Sequence, residues 1–240
     1  MLKQIINILL LITFISCVSL AKETTLVLNT WTTAPLSTKT QSGYLDKVLL
    51  EAFKRININL KIVKKPVERS ISDANSGSGD GEFIRVAGLS KIYPNLTMVP
   101  EELFEFEFVA FSNNHHIQVE NWDKLKPYTV AIVIGWKIFE KNVNNVKKRH
   151  DIASPKSLFK MIQKRRIDMG LYSKYAGKQI IKDLKLKNIF IVSPPLATKK
   201  MYLYLHKKHQ SIIPLLTKVL KEMKKDGTFN KIKDMTLLND

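Results

Sequence analysis

The sequence predicts an α/β protein built from two successive units with a ligand cleft between them. The first unit covers roughly residues 22–110 and the second roughly residues 120–200, and each alternates short β-branched runs with amphipathic helical segments. The chain has 240 residues and one cysteine, so it must be held together by a core rather than by disulfides. Pockets in such folds lie at the carboxyl ends of strands and between domains, which favours a site between the two units.

The first unit opens with a strand–helix–strand pattern. Residues 24–29 (TTLVLN) predict a strand, residues 44–56 carry apolar side chains at helical spacing, and residues 57–64 (NINLKIVK) alternate like a second strand. Two strands joined through one helix are normally parallel neighbours. We therefore expect a parallel pair with a crossover helix.

The stretch from Pro66 to Leu103 carries two arginines in contrasting settings. Pro66 predicts the start of a helix that contains Arg69. Arg85 follows the flexible turn SGSGDG and lies in a short apolar run, where a strand can approach a ligand. A guanidinium there suits a carboxylate or a phosphate. The alternative is that Arg69 and Arg85 are ordinary surface or salt-bridging arginines.

The rest of the chain continues the α/β pattern. The predicted strands are residues 104–111, 128–134, 167–172, 189–192 and 201–205, and the predicted helices are residues 138–147, 155–166, 175–184 and 211–225. Ser154 and Pro155 are typical of a helix start, and Gly227 of a helix end.

The N-terminus predicts export. Lys3 precedes an apolar run that ends at Ser19-Leu20-Ala21, the pattern of a secretory signal peptide cleaved after Ala21. The alternatives are an uncleaved anchor and a lipoprotein in which Cys17 is lipidated. Cleavage after Ala21 would leave no thiol for disulfides, for catalysis or for metal binding.

The net charge of +18 raises the question of a nucleic-acid partner. The lysines are spread along the whole chain, and no arginine-rich arm or zinc-finger spacing occurs. We therefore expect no nucleic-acid partner. The charge is interpreted as a solvated lysine surface, with weak attraction to anionic lipid or cell-wall polymer as a secondary effect.

Several segments, taken in order, resemble a known family. They are GYLDKVLLEAFKRININLKIV, PVERSISDANSGSGDGEFIR, WDKLKPYTVAIVIGWK, SLFKMIQKRRIDMGLY and the closing KKDGTFNKI. Together they resemble the bacterial extracellular solute-binding proteins of family 3, with the type 2 periplasmic binding fold. The resemblance implies a periplasmic monomer that captures a small polar, amino-acid-like solute, anionic or zwitterionic, by lobe closure and without a cofactor. It also implies a membrane ABC permease, or a membrane sensor, as partner. No metal is expected, because neither histidine cluster, His115-His116 nor His206 with His209, has an acidic residue at metal-ligand spacing.

The chain departs from the amino-acid binders of that family. The segment in which they usually carry a threonine and an arginine for the ligand carboxylate reads RVAGLSKIYPNLTMVPEEL here. Ser173 lies where an acidic residue often binds the ligand amine. The resemblance is therefore to a divergent branch, marked by the Pro-x-Glu-Arg run, DGEFIR and YPNL.

The resemblance also implies lobe boundaries, a hinge and a set of ligand contacts. Signal peptide 1–21 would be followed by a first lobe of residues 22–110 plus 201–240 and a second lobe of residues 111–200. The hinge would consist of Phe106–Phe111 and Met201–Leu205. The expected ligand-binding residues are Trp31, Glu68, Arg69, Arg85, Gly135, Trp136, Lys137, Tyr172 and Ser173.

Two alternatives for these residues and two for the function stay open. Trp31 and Trp136 could pack rather than stack on a ligand, and Glu68 could form a salt bridge with Arg69 or Arg85. A periplasmic enzyme on the same fold, similar to a dehydratase, would need a positioned carboxylate or histidine, for which Glu68 is available. A sensor for a separate membrane partner is the third function.

Overall fold

The computed structural model describes residues 25–237, which form one mixed nine-stranded sheet flanked by helices. The expected signal peptide, its cleavage after Ala21 and the alternative at Cys17 lie outside these residues. The strands are β1 (Thr25–Thr30), β2 (Asn59–Lys64), β3 (Gly81–Arg85), β4 (Leu96–Met98), β5 (Phe104–Ser112), β6 (Thr129–Val133), β7 (Lys148–Ile152), β8 (Met169–Ser173) and β9 (Phe190–His206). The helices are α1 (Tyr44–Lys54), α2 (Val67–Ser76), α3 (Lys137–Asn142), α4 (Pro155–Gln163), α5 (Lys174–Asp183), α6 (Ile213–Lys225) and α7 (Thr228–Leu237).

The strand order divides the sheet into two halves. The order is β2-β1-β3-β9-β5-β8-β6-β7, and β4 also pairs with β9. In the first half β1 is parallel to β2 and β3, and in the second half β6 is parallel to β7 and β8. The antiparallel strands β5 and β9 join the two halves.

Helix α1 closes the first half over its core. Its apolar stripe, including Leu45, Leu49 and Phe53, is fully buried. The buried carboxylate of Asp46 accepts hydrogen bonds from the Gly43 backbone N–H at 3.0 Å and from the Ser37 hydroxyl at 2.6 Å. The first bond satisfies a backbone N–H at the start of the helix, and the second holds the preceding loop against the helix.

Strand β9 is longer than the sequence pattern predicts. The predicted strands at residues 189–192 and 201–205 are the two ends of one 17-residue strand. Residues 201–205, expected to form part of the hinge, pair mainly with β3. Residues 190–192 and 197–201 pair with β5. The strand predicted at residues 201–205 is thus the end of a longer strand, and the hinge bounds stay a prediction. The segment from Ser193 to Leu196, which bulges between them, contains two prolines, and these hide the continuity of the strand in the sequence.

The second half shows one further difference from the predicted elements. The helix expected at residues 138–147 ends at Asn142, and the edge strand β7 follows it. The sequence of β7, KRHDI, is polar because the strand is mostly exposed, so it carries no apolar alternation. Within residues 25–237 no helix combines the length and apolar character that a bilayer span requires.

Candidate functional site

Most of the residues predicted to bind a ligand lie at the carboxyl ends of parallel strands. Trp31 follows β1 and Arg85 ends β3, which is the neighbour of β1. Gly135 follows β6 and Ser173 ends β8, which is the neighbour of β6. Since parallel strands end at the same edge of a sheet, each half presents its candidate residues together.

Arg85, expected to bind an anion, already has a carboxylate partner. Its Nη2 donates to Glu82 Oε1 at 2.7 Å and to the Val67 carbonyl oxygen at 3.1 Å. The Glu82 side chain has no exposed surface, and the Arg85 side chain keeps 16% of its surface exposed. Burial raises the pKa of Glu82 above its ordinary value, and hydrogen bonding to Arg85 offsets only part of that rise.

A β-bulge puts Glu82 and Arg85 on the same face of β3. Side chains three apart in a regular strand point to opposite faces. Here the register with β9 shifts between Phe83 and Arg85, and Ile84 has a φ of 66°. A bulge adds one residue and reverses the alternation beyond it. A β-branched residue at positive φ costs on the order of 1–3 kcal/mol, so the pair rests on a strained backbone.

Polar atoms around this ion pair are buried without hydrogen-bond partners within the described residues. Asn29 on β1 lies opposite Glu82 in the sheet, and its Nδ2 donates to the Ser70 carbonyl oxygen on α2 at 3.2 Å. Asn29 Oδ1, Trp31 Nε1 and Arg85 Nε have no partner. Ser70 Oγ and Glu82 Oε2 also lack a partner in good hydrogen-bond geometry, but the Ser70 hydroxyl lies near enough to lower the pKa of Glu82. Buried polar groups normally have partners because their desolvation is otherwise uncompensated. This region of the first half therefore holds unused donors and acceptors.

Glu68 and Arg69 are exposed in the first turn of α2. The Arg69 side chain is 76% exposed, and its Nε lies 3.9 Å from Asp73, a distance at which an exposed ion pair contributes little. In the described part of the chain Arg69 is paired with Asp73 and Arg85 with Glu82, rather than either with Glu68. Arg69 thus keeps most of its capacity to bind an anion.

An aromatic cluster lines the strand that joins the two halves. Phe104, Phe106 and Phe108 alternate along one face of β5, with ring centroids 6.3 and 5.2 Å apart. Phe104 also lies 5.6 Å from Tyr44 of α1 and 5.6 Å from Tyr175 of α5. We define these five rings together with Trp136 as the aromatic cluster. It connects side chains of both halves across β5.

Trp136 is the member of the aromatic cluster that belongs to the end of β6. Its ring lies 6.3 Å from Phe106 and 6.0 Å from Phe108, and it stacks on Phe139 at 5.6 Å. Tyr172, another predicted residue, lies 4.8 Å from the same ring, and burial raises its pKa. Trp136 is only partly buried, so it packs within the cluster and retains accessible ring surface.

The backbone at Gly135 to Lys137, expected to bind an anion, contacts a carboxylate of the chain itself. The Gly135 N–H donates to Glu140 Oε1 at 2.7 Å, and Lys137 Nζ donates to Glu140 Oε2 at 2.7 Å. Both bonds lower the pKa of Glu140, the lysine contributing most. A ligand anion would have to displace Glu140 from these donors.

Ser173 is buried at the start of α5. The next residue, Lys174, forms an ion pair that the sequence did not reveal. Lys174 Nζ donates to both carboxylate oxygens of Glu107, at 2.8 and 3.0 Å. The two residues are 67 positions apart, and Glu107 lies on β5. The pair fixes the first turn of α5 to the strand that carries the aromatic cluster.

The two halves also touch at one edge of the aromatic cluster. A cavity of about 50 Å³ lies between Pro35 and Leu237 of the first half and Tyr175 and Gln179 of α5. Such a volume holds only a few water molecules. A solute of amino-acid size would need the halves to separate at this point.

No family model matches the chain. An uncharacterized protein of Shewanella oneidensis is 26% identical over 184 residues, which are 70% of this chain and 66% of the relative. The match thus spans slightly less than two thirds of that relative.

Solved structures resemble the chain more extensively. The substrate-binding protein of an amino acid ABC transporter has a TM-score of 0.66 and 18% identity, and the match covers 90% of this chain and 100% of that one. The fold is that of a two-lobed periplasmic binding protein. A histidine kinase sensor domain with similarity to such proteins has a TM-score of 0.68 and 14% identity, covering 89% of this chain and 96% of that one. In this chain β5 and β9 join the two halves of the sheet.

Proposed function

We propose that this protein is an exported solute-binding protein that captures a small polar solute between its lobes and delivers it to a membrane ABC transporter. The observation that carries the proposal is the position of the aromatic cluster. Phe106 lies on a strand that joins the lobes, Tyr44 comes from the first lobe and Trp136 from the second. A solute held against these rings would touch both lobes and stabilise their closed arrangement.

The lobes follow the two joining strands. Residues 22–110 with 201–240 form the first lobe, and residues 111–200 form the second. The passage of β5 and β9 between the sheet halves supports these bounds. Export would remove residues 1–21, and the working protein is a monomer that needs no metal or cofactor.

The solute is amino-acid-like, with an anionic or zwitterionic head. Arg69, exposed at the start of α2, supplies the cation for a carboxylate. Among residues 25–237, Asn29 Oδ1 and Glu82 Oε2 accept no hydrogen bond of good geometry, and they would suit an ammonium group or another N–H donor. The aromatic cluster would cover the apolar part of the solute. Separation of the lobes would admit the solute, and closure would remove it from water and strengthen each polar contact.

The first test identifies the solute. Protein isolated natively from the periplasm is denatured, and the released small molecules are identified by mass spectrometry. The expected result is one stoichiometric solute with an amine and a carboxylate, on a chain that begins at Lys22. An empty protein that no polar solute stabilises in a thermal-shift screen would contradict the proposal. Conversion of the solute by the protein would instead favour the enzyme reading.

A matched pair of tryptophan variants locates the site. Trp136→Ala should weaken solute binding by roughly tenfold, because a stacked ring contributes on the order of 1 kcal/mol beyond its buried area. Trp122 also packs on Phe139, at 6.2 Å, but is outside the aromatic cluster. Trp122→Ala removes the same kind of side chain and should leave the affinity measured by titration calorimetry unchanged. Equal losses in both variants would contradict a site at Trp136.

A sensory role is the second candidate, because a histidine kinase sensor domain shares the fold. In that case the solute-loaded protein would act on a separate membrane partner. A strain lacking the protein distinguishes the two roles. Loss of uptake of the identified solute supports transport, whereas intact uptake with a lost transcriptional response to it supports sensing.

A further inference from the structure

A groove of about 690 Å³ opens on the outer surface of the second lobe, away from the aromatic cluster. Apolar side chains form its base and lysines form its rim. We call it the lysine groove and define it by Ile181, Lys185, Leu186, Lys187, Ile189 and Phe190.

The local backbone explains the shape of the lysine groove. Helix α5 ends at Asp183, and Lys185 and Asn188 then adopt left-handed φ values of 52° and 56°. The Leu186 N–H donates to the Ile181 carbonyl oxygen at 3.0 Å and folds the turn back on the helix. This turn presents Lys185 and exposes the start of β9.

Phe190 is the exposed apolar residue of the groove. It begins β9, and 45% of its surface is accessible. Its neighbours Ile189 and Ile191 are partly buried against the core of the second lobe, because alternate residues of a strand face opposite sides. The ring of His115 lies 6.4 Å away, edge-on to Phe190. Phe190 thus stands at the surface, while Ile189 and Ile191 turn toward the core.

The electrostatic surroundings of the groove are positive. Lys178 and Lys182 line it beside Lys185 and Lys187. The acidic residue of the same helix, Asp183, accepts a hydrogen bond from Gln179 at 2.7 Å. The whole chain adds a net charge of +18, which attracts any anionic surface over a longer range.

From this combination we infer that the lysine groove docks the protein on an anionic phospholipid bilayer. Lysines keep their charged ends at the level of the phosphates while their stems cover apolar surface. An exposed aromatic ring inserts into the interfacial region between headgroups and acyl chains. The lysines that flank Phe190 would therefore lie at the level of the phosphates, and the Phe190 ring would lie in the interfacial region beneath them. The inference goes beyond solute capture, since it concerns a surface that the solute site does not use.

The test measures cosedimentation of the cell-processed protein with large vesicles. One set contains phosphatidylethanolamine and phosphatidylglycerol in equal parts, and the other contains phosphatidylcholine alone. Binding to the anionic vesicles and not to the neutral ones is expected. Lys185→Glu/Lys187→Glu should reduce that binding by about tenfold or more, because each lysine near an anionic surface contributes separately. Phe190→Ala should also reduce it.

The matched control reverses the charge at two lysine positions on the other lobe. Lys61 and Lys64 are exposed on β2, the edge strand of the other lobe. Lys61→Glu/Lys64→Glu changes the net charge equally and should leave vesicle binding within about twofold of the parent, since surface attraction falls off within a Debye length. Equal losses in both pairs would show general attraction and overturn the inference.

Three other outcomes would also overturn it. They are no binding to anionic vesicles, groove-dependent binding of an acidic amphipathic peptide in place of vesicles, and dimers in sedimentation velocity that the groove variants abolish. Solute affinity is measured on the same variants and should not change. Failure of bilayer docking is therefore distinguishable from failure of the proposed solute capture.

Discussion

Arg85 Nη2 lies 2.7 Å from Glu82 Oε1, and the two side chains share one face of β3 only because the strand bulges at Ile84. The carboxylate is fully buried, whereas the guanidinium reaches the surface. Removal of Arg85 would leave an unpaired charge in the interior, which is more costly than the absence of both groups.

We expect Arg85→Ala to lower the free energy of unfolding by about 3 kcal/mol, the usual cost of breaking a buried ion pair on one side. The double variant Glu82→Gln/Arg85→Ala should recover part of that loss, because the stranded charge is gone. Urea unfolding measures both. Lys126→Ala breaks an exposed pair with Asp123 and should cost no more than about 1 kcal/mol. A double variant as unstable as the sum of its single variants would argue against coupling of Glu82 and Arg85.

Substitution of Arg69 should change the affinity for the solute without changing the stability of the protein. Because its side chain is 76% exposed, Arg69→Ala should leave the melting temperature unchanged. Affinity for an anionic or zwitterionic solute should fall about tenfold, since a charge-assisted hydrogen bond is lost. Arg69→Lys should restore only part of it, as lysine lacks the planar fork. Calorimetric titration in which Arg69→Ala binds as tightly as the parent would exclude Arg69 from the site.

Much of the fold was predictable because the buried face of a helix or strand carries apolar residues at regular spacing in the sequence. Leu45, Leu49 and Phe53 recur at helical spacing, and all three are fully buried on α1. Strand β7 shows no such apolar spacing, since its residues are mostly exposed. The continuity of β9 was also hidden, because its middle segment bulges out of the pairing with β5.

The candidate site was only partly predictable, because its partners meet through tertiary structure. The sequence indicated Arg85 and Trp136, but not the carboxylate of Glu82. In a regular strand that carboxylate would face away from Arg85, so only the bulge reveals the pair. Lys174 and Glu107 are 67 positions apart and share no motif. The alternation of Phe104, Phe106 and Phe108 was visible, but its contact with both lobes required the fold. The role of these residues toward a solute stays a prediction.

Asp80 connects the turn before β3 to the end of β9. Its carboxylate lies 2.7 Å from His209 Nε2 and 2.8 Å from Lys208 Nζ, and it accepts the Val27 backbone N–H at 2.7 Å. Burial alone would raise the pKa of Asp80, but these hydrogen bonds outweigh it and hold the pKa below its ordinary value of 3.8. The charged form is therefore the one that the folded protein stabilises.

The lowered pKa of Asp80 makes the free energy of unfolding depend on pH in a defined direction. A carboxyl whose pKa is lowered by folding contributes stability that is fully present above its ordinary value and is lost as the pH falls through the folded value. Asp80→Asn should lower the free energy of unfolding by about 1–2 kcal/mol at neutral pH, through lost hydrogen bonds. The difference from the parent should shrink in denaturant unfolding below the ordinary pKa of 3.8. A constant difference across that range would show that the charge of Asp80 is not involved.

Gly177 sets how closely α5 packs on β5. A Cβ at this position would overlap the buried ring of Phe111. Gly177→Ala should therefore lower the free energy of unfolding by about 1–3 kcal/mol through overpacking, although alanine favours helix. In a Phe111→Leu background the loss from Gly177→Ala should be smaller, because the shorter side chain leaves room. Urea unfolding of the four proteins completes a double-mutant cycle. Strictly additive losses would show that contact with this ring is not the cause.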